Sequence, residues 1–235
     1  MTATDAHTDR TAGRRRLLPP LPTQAERVAA LLRESLIDGA YPPGQRLSEE
    51  RLCEELGVSR NTLREAFRLL VRDRLLVHQM HRGVFVTLPT SEDVRDLFKA
   101  RRVLELPALR GAVRPTEEAV RAVGSAVDEG EAARSRREWK RMGTANMRFH
   151  QALAGLAGSA RVNEFMNQVL AETRLVFHVM DAPREFHAPY LDWNRRIHTL
   201  LASDDVGGAA DELATYLDTS ENQLVTAFTA RERGA

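Results

Sequence analysis

Residues 46–70 read Arg46-Leu47-Ser48-Glu49-Glu50-Arg51-Leu52-Cys53-Glu54-Glu55-Leu56-Gly57-Val58-Ser59-Arg60-Asn61-Thr62-Leu63-Arg64-Glu65-Ala66-Phe67-Arg68-Leu69-Leu70. Two capped helices are written in this stretch. Ser48 suits an N-cap, with Glu49 and Glu50 in the first turn, where the helix dipole favours anions. Gly57 stops that helix. Ser59 caps the next, which should run from Arg60 to about Arg72. Leu63, Ala66, Phe67, Leu70 and Val71 share one side of it and should pack inward. Arg60, Arg64, Arg68 and Arg72 recur every four residues on another side. Successive members drift by about 40° at 3.6 residues per turn, so the four cannot all face one groove.

The flanks complete a pattern. Upstream, Val28, Leu31, Leu32, Ser35 and Leu36 keep a helical period from Gln24 to Asp38. Gly39 and the turn Tyr41-Pro42-Pro43-Gly44 end it. Downstream, Leu75-Leu76-Val77 leads through His81-Arg82-Gly83 into Val84-Phe85-Val86, a two-stranded hairpin with a polar tip. Three helices followed by a hairpin is the order of a winged helix-turn-helix. A recognition helix presents its N-terminal residues to base edges, so Arg60 and Arg64 are better placed than Arg68 and Arg72. Arginine's planar fork matches guanine O6 and N7. Asn61 and Thr62 can reach bases or phosphates, and the free N–H groups behind Ser48 and Ser59 favour phosphate. His81, Arg82 and Gly83 at the wing tip suit the adjoining minor groove. The competing reading, a solvated arginine face, fits Arg68 and Arg72.

Composition bounds the rest. The chain has 235 residues, 34 basic and 33 acidic, and 43% are apolar, enough for a packed core. Near-neutral charge excludes a polybasic protein, so any nucleic-acid contact must be local. Residues 1–90 hold 14 Arg, no Lys and 11 acids, an excess of +3, and six Arg fall between Arg60 and Arg82. One cysteine, Cys53, rules out an internal disulfide framework and a cysteine-based zinc finger. No apolar run has the length of a membrane span, and Met1 to Arg16 lacks a hydrophobic signal core. A cytoplasmic protein without membrane partners is the expectation. Residues 1–22, with Arg14-Arg15-Arg16 and three prolines, read as a disordered tail or a DNA-touching arm.

After Leu88-Pro89 the pattern is helical throughout. Six helices are expected at roughly 92–113, 117–135, 137–157, 160–180, 186–202 and 208–231, an antiparallel all-α bundle. The domains are therefore expected at 23–88 and 89–235, in a mainly α fold. No Gly-rich phosphate loop, nucleophile elbow or His-Glu-x-x-His occurs.

The stretch from Gly39 to Ala66 closely resembles the GntR family of bacterial transcriptional regulators. That resemblance implies that Arg60, Thr62 and Arg64 touch operator DNA, with Ser48, Glu49, Ser59 and Asn61 alongside and the wing around Gly83 in the minor groove. Two departures stand out. Arg74 occupies a turn where the family often has glycine, which predicts a left-handed, strained residue. Asn61-Thr62 replaces the family's frequent Thr-Pro.

The second part is similar to the FCD effector domain of the FadR subfamily, in its shorter, VanR-like branch. Arg101-Arg102-Val103-Leu104-Glu105 and Phe149-His150 carry the likeness. Many such domains hold a divalent metal, zinc or nickel, on one Asp and three His beside an organic acid. The matching positions here are Asn146, His150, His198 and Tyr216. Two of the four have changed, which removes a carboxylate and an imidazole; the phenol, with an ordinary pKa near ~10, is a poor ligand near neutrality. No cofactor is therefore certain, and a divalent metal stays among the readings. Three readings stay open: a metal on Asn146, His150 and His198, a polar cavity that binds effector directly, or structural histidines. Arg101 either clamps an effector carboxylate or pairs with Glu105 one turn on. Arg174 and His178 are further candidates for the cavity wall. The resemblance implies a homodimeric regulator, a repressor, released from a palindromic operator by a small carboxylated metabolite. The alternatives are a constitutive DNA binder and, from another class, a metal-dependent hydrolase of organic acids.

Overall fold

The computed structural model describes residues 21–112, 114–180 and 183–234, without the side chains of 183–185 and 187. The arginine-containing tail and the break at 181–182 lie outside the described residues. Among these, the element order is α1 (Gln24–Ile37), β1 (Arg46–Leu47), α2 (Glu49–Leu56), α3 (Arg60–Arg72), β2 (Leu76–Gln79) and β3 (Gly83–Val86). Then come α4 (Ser91–Arg110), α5 (Glu117–Ser135), α6 (Trp139–Gly155), α7 (Ala160–Val179), α8 (Pro183–Ala202) and α9 (Val206–Gly234). The fold is a winged helix-turn-helix followed by a six-helix bundle.

The helix starts follow from their caps. Ser48 and Ser59 accept from the backbone N–H groups of Arg51 and Thr62, and Thr90 closes a capping box with Asp93. Gly57 ends α2 at φ 62°, so the tight turn into α3 uses glycine's freedom. The hairpin carries a third strand that periodicity could not reveal. β1 has only two residues, and it pairs with β3 (Arg46 with Phe85, Leu47 with Val84) to give the order β1-β3-β2. Arg74 takes φ 57°, the left-handed turn expected of that position.

Leu63, Ala66, Phe67 and Leu70 are buried against Val28, Leu32, Leu36, Leu52 and the sheet. Each fully buried large apolar side chain contributes roughly 1.5–3 kcal/mol, so this face is committed to the core and the arginines must look outward. Leu31 and Val71, grouped with the buried faces by period, are instead exposed. The helices α4–α9 enclose a second core that includes Phe98, Val123, Phe149, Ile197, Leu213 and Phe228. α7 serves both. Its Val176 and Val179 enter the bundle core, whereas Ala171 and Leu175 complete the core of the winged unit.

Candidate functional site

α3 and the wing build one exposed basic surface. Arg60, Asn61 and Arg64 are exposed, and Thr62 is half-buried. Ser59 Oγ accepts from Thr62 N–H at 3.1 Å and meets Thr62 Oγ1 at 2.9 Å, so both hydroxyls brace the first turn. Arg64 Nε donates to Glu49 Oε2 at 3.0 Å across the helix-turn-helix. Glu49 thus orients a guanidinium that remains open to solvent. Arg68 pairs with Glu65 along its own helix, the solvated role foreseen for it.

A groove of about 440 Å3 joins the start of α2, Arg60 and the wing residue Gly83. Arg46 lies in it as well, and its Nε would sit 3.3 Å from a Cβ placed on Gly83. Sequence reasoning missed Arg46, because β1 is too short to give a strand signal. At the wing tip His81 is left-handed at φ 60°, and exposed Arg82 lies 5.7 Å from the Phe85 ring centroid. Ser48, Glu49, Arg60 and Gly83 therefore share one surface, which a duplex can approach edge-on.

Inside the bundle the polar side chains form a directional chain. Asn194 Nδ2 donates to Asn146 Oδ1 at 2.8 Å, and Asn146 Nδ2 donates to the Tyr216 oxygen at 3.1 Å. Tyr216 O–H reaches His150 Nε2 at 3.0 Å, and His150 Nδ1–H reaches Glu105 Oε2 at 2.6 Å. Arg101 Nε closes the chain on Glu105 Oε1 at 2.8 Å. Arg101, Glu105, His150, Asn194 and Tyr216 are all buried. Burial holds the His150 imidazole below its usual pKa, and the Arg101 charge adds to that effect. It is therefore the neutral ring that this chain of bonds requires. Burial opposes ionisation of Glu105, but His150 and Arg101 outweigh it and the carboxyl sits below its ordinary value. Burial pushes the Tyr216 phenol upward, so it stays protonated.

The two ends of the chain are unfinished. Arg101 Nη2 and Asn194 Oδ1 are buried with no hydrogen-bond partner. One is a charged donor and the other a neutral acceptor. Leaving such groups unpaired costs free energy, more for the charged one.

A family model described as bacterial regulatory proteins, gntR family, matches residues 24–86, and one described as the FCD domain matches residues 96–219. The chain belongs to the GntR family, with an FCD domain. This is a family of transcriptional regulators, not of enzymes; the helix-turn-helix implies DNA binding, and the FCD domain implies a small-molecule effector. A solved GntR-type transcriptional regulator from Rhodococcus sp. RHA1 is similar at 43% identity and a TM-score of 0.83, over 87% of this chain and 99% of that one. The HTH-type transcriptional regulator YdhC of Bacillus subtilis is 29% identical over 59% of this chain and 62% of its own length, so the match spans under two thirds of that relative. The Galactonate operon transcriptional repressor of Escherichia coli is 25% identical over 88% of this chain and 98% of its own length.

Within this GntR regulator, the ligand set drawn from the family needs one correction. Asn146, His150 and Tyr216 do come together, but His198 joins none of their hydrogen bonds. Its ring packs on α5, where Nε2 would lie 2.7 Å from a Cβ on Gly124. Asn194, one turn earlier on α8, is the residue that bonds to Asn146. Nothing in the local sequence separates the two turns, and a histidine is the more conspicuous ligand type.

The residues do not fit a divalent metal. Both His150 ring nitrogens are engaged, one by Glu105 and one by Tyr216. The remaining inward groups are two neutral amides and a phenol held protonated by burial, a poor donor set for zinc or nickel. Among the described residues no group of three His, Cys, Asp or Glu forms a metal-holding cluster, and none of the described helices is long and apolar enough to cross a membrane.

Arg174 and His178 face elsewhere than expected. Arg174 Nε donates to the Ile37 carbonyl at 3.1 Å and Nη2 to the Lys140 carbonyl at 3.0 Å. His178 Nε2 meets the same Ile37 carbonyl at 2.7 Å. These two side chains cap the end of α1 from α7 and tie the winged unit to the bundle. Their spacing of one turn was visible in sequence; the partner, a backbone carbonyl 137 residues away for Arg174, was not.

Proposed function

We propose that this regulator binds a palindromic operator as a homodimer, represses transcription there, and is released by a small carboxylated metabolite. The observation that carries the DNA reading is the exposed Arg60–Arg64 face, held by core burial behind it and by Glu49 beside it. Arg60 and Arg64 read guanines, while Asn61 and Thr62 contact bases or phosphates. Ser48 and Ser59 present first-turn N–H groups to phosphate, their own hydroxyls being spent on capping. His81, Arg82 and Gly83 follow the minor groove, and Arg46 adds a phosphate contact beside them. A two-fold dimer requires two half-sites about one helical turn apart or a multiple of it. The sign of regulation is supported by the full-length similarity to a repressor.

The effector reading rests on the unfinished ends of the buried chain. Arg101 Nη2 supplies a charged donor for a carboxylate, and Asn194 Oδ1 supplies an acceptor for a hydroxyl or amine on the same molecule. Asn146, His150 and Tyr216 form the wall between those ends, with no metal intervening. His198 belongs to the support behind that wall. Binding releases DNA only if the effector prefers the arrangement that cannot span both half-sites. The capping of α1 by Arg174 and His178 is the contact through which α7 can report that preference.

The test is a selection of duplexes from a random pool, followed by a thermal-shift screen of organic acids with and without the selected operator. The expected result is a palindromic consensus and at least one hydroxy or amino acid that raises the melting temperature and weakens operator binding, with the response lost in Arg101→Lys. A non-palindromic consensus sinks the dimer reading. A response that survives Arg101→Lys sinks the clamp.

A further inference from the structure

Among the described residues two arginines are buried, and they are compensated unequally. Arg101 has the Glu105 carboxylate at 2.8 Å. Arg174 is 3% exposed and has no carboxylate within ion-pair reach among the described residues; the opposite charge that acts on it is Asp38, at the end of α1. Its Nε and Nη2 are spent on the carbonyls of Ile37 and Lys140. A helix C-terminus offers roughly half an elementary charge, so the end of α1 leaves part of this buried cation unbalanced, a costly state. The third nitrogen, Nη1, makes no hydrogen bond among the described residues and is not sealed from solvent.

Arg174 lines a cleft of about 230 Å3 between the winged unit and the bundle. Gly39 and Pro42 form one wall, and Lys140 of α6 and His178 of α7 stand with Arg174 on the other. Lys140 is exposed, and it sits in the first turn of α6, whose N-cap Glu138 makes no side-chain cap. The positive end of that helix adds to the lysine's charge. His178 supplies a group of another kind. The Ile37 carbonyl can only accept, so His178 Nε2 carries the hydrogen there, and Nδ1 of the neutral ring is an acceptor. Burial, and then the Arg174 and Lys140 charges, hold the imidazole below its usual pKa against the Ile37 bond and Asp38, so the ring is neutral. Gly39 leaves that edge of the ring uncovered, since a Cβ there would lie 2.8 Å from Cε1 and 3.1 Å from Nδ1.

Two cationic donors beside one neutral acceptor select an anion that also carries a hydroxyl. We propose that this interdomain cleft binds hydrogenphosphate, with Arg174 Nη1 and Lys140 Nζ donating to its oxygens and His178 Nδ1 accepting from its P–O–H. Sulfate and simple carboxylates offer the charge without the hydrogen. The volume is below the roughly 300–1,000 Å3 of drug-sized ligands and suits a small ion. An occupant touches the turn after α1 on one side and α6 and α7 on the other, so it bears on the angle between the DNA-reading unit and the bundle. The site is separate from the buried chain around Arg101, and either can stand without the other.

The test titrates the full-length protein, 15N-labelled at histidine, with phosphate, sulfate and acetate at equal ionic strength and slightly alkaline pH. Phosphate should bind saturably and move the His178 ring nitrogens. Sulfate should bind about tenfold more weakly, because it leaves Nδ1 without a donor. Lys140→Gln, an exposed replacement that should not disturb the fold, should weaken phosphate binding about fivefold. Arg110→Gln, which removes an exposed charge elsewhere, and Arg101→Lys should leave it unchanged. His178 ring nitrogens unmoved by phosphate overturn the site. Sulfate or acetate binding as tightly as phosphate overturns the ligand. Equal losses in Lys140→Gln and Arg110→Gln reduce the effect to general charge and overturn the proposal, as does phosphate binding lost in Arg101→Lys and kept in Lys140→Gln.

Discussion

The molecule uses the same pair of residues, arginine and glutamate, in two regions with opposite consequences. On α3 the pairs Arg64–Glu49 and Arg68–Glu65 stand in solvent. Exposed pairs of this kind are worth about 0–1 kcal/mol, so a phosphate or guanine can replace the carboxylate at little cost. In the bundle, Arg101–Glu105 is sealed, with 2% and 0% of the two side chains exposed. There neither partner can be given up without stranding the other. A weak pair makes an arginine available to an outside partner; a sealed pair fixes an arginine so that its remaining N–H can wait for an inside one. The lesson is that an arginine's function follows from what its partner would lose.

The largest expected effect comes from breaking the sealed pair. Glu105→Ala leaves Arg101 buried and uncompensated and should cost roughly 3–5 kcal/mol in urea unfolding, whereas the exposed counterpart Glu65→Ala should change stability by about 0.5 kcal/mol or less. Equal costs for the two would erase the contrast.

Arg74 adds a middle-sized effect. As a non-glycine residue at φ 57° it bears about 1 kcal/mol of backbone strain, and its 4.0 Å pair with exposed Asp96 returns little. Arg74→Gly should therefore raise thermal stability by roughly 0.5–1 kcal/mol despite glycine's greater entropy loss. A lower melting temperature would show that the side chain contributes more than the turn costs.

Smaller again is the effect of Glu49→Gln. Its removal frees Arg64 and takes a negative charge from the DNA face. Binding to non-specific duplex should tighten a few-fold, and the gap to a specific site should narrow, as read by fluorescence anisotropy at fixed salt. Unchanged non-specific affinity would mean that Glu49 does not restrain Arg64.

Glu172 supplies a pH dependence between these two regions. Burial pushes its carboxyl up to about 7, Arg74 opposes the rise, and Asp93, Asp96 and Asp73 add to it. The folded protein therefore holds a proton that the unfolded chain releases between about pH 4.5 and pH 7, so this group makes stability fall as pH rises through that window. Glu172→Gln should stabilise the protein at about pH 8 and much less at about pH 5, measured as the urea midpoint. An advantage that does not change with pH would remove the titration from the account.

The helix-turn-helix was legible because its information is local. Caps at Ser48 and Ser59, the stop at Gly57 and the face of Leu63, Ala66, Phe67 and Leu70 are all set within one or two turns. β1 was not legible, since two residues carry no period and its pairing with β3 depends on the turn at Tyr41–Gly44 bringing the chain back. In the bundle the spacing of Asn146 and His150 put both on one helix face, and both bond to Tyr216. The choice of Asn194 over His198 depended on the rotation of α8 against α5 and α6, a tertiary quantity that side-chain identity does not encode. The same is true of Arg174 and His178, whose partner is a carbonyl on α1.

The central claim is that the Arg60–Arg64 edge of α3 lies in the major groove. The direct measurement is the affinity of Arg60→Ala for the selected operator and for a scrambled duplex at one salt concentration. The account predicts a loss of roughly 1–3 kcal/mol on the operator and relaxed preference at one base pair per half-site, with a much smaller loss on the scrambled duplex. Equal operator affinity for Arg60→Ala and the unmodified protein would contradict it.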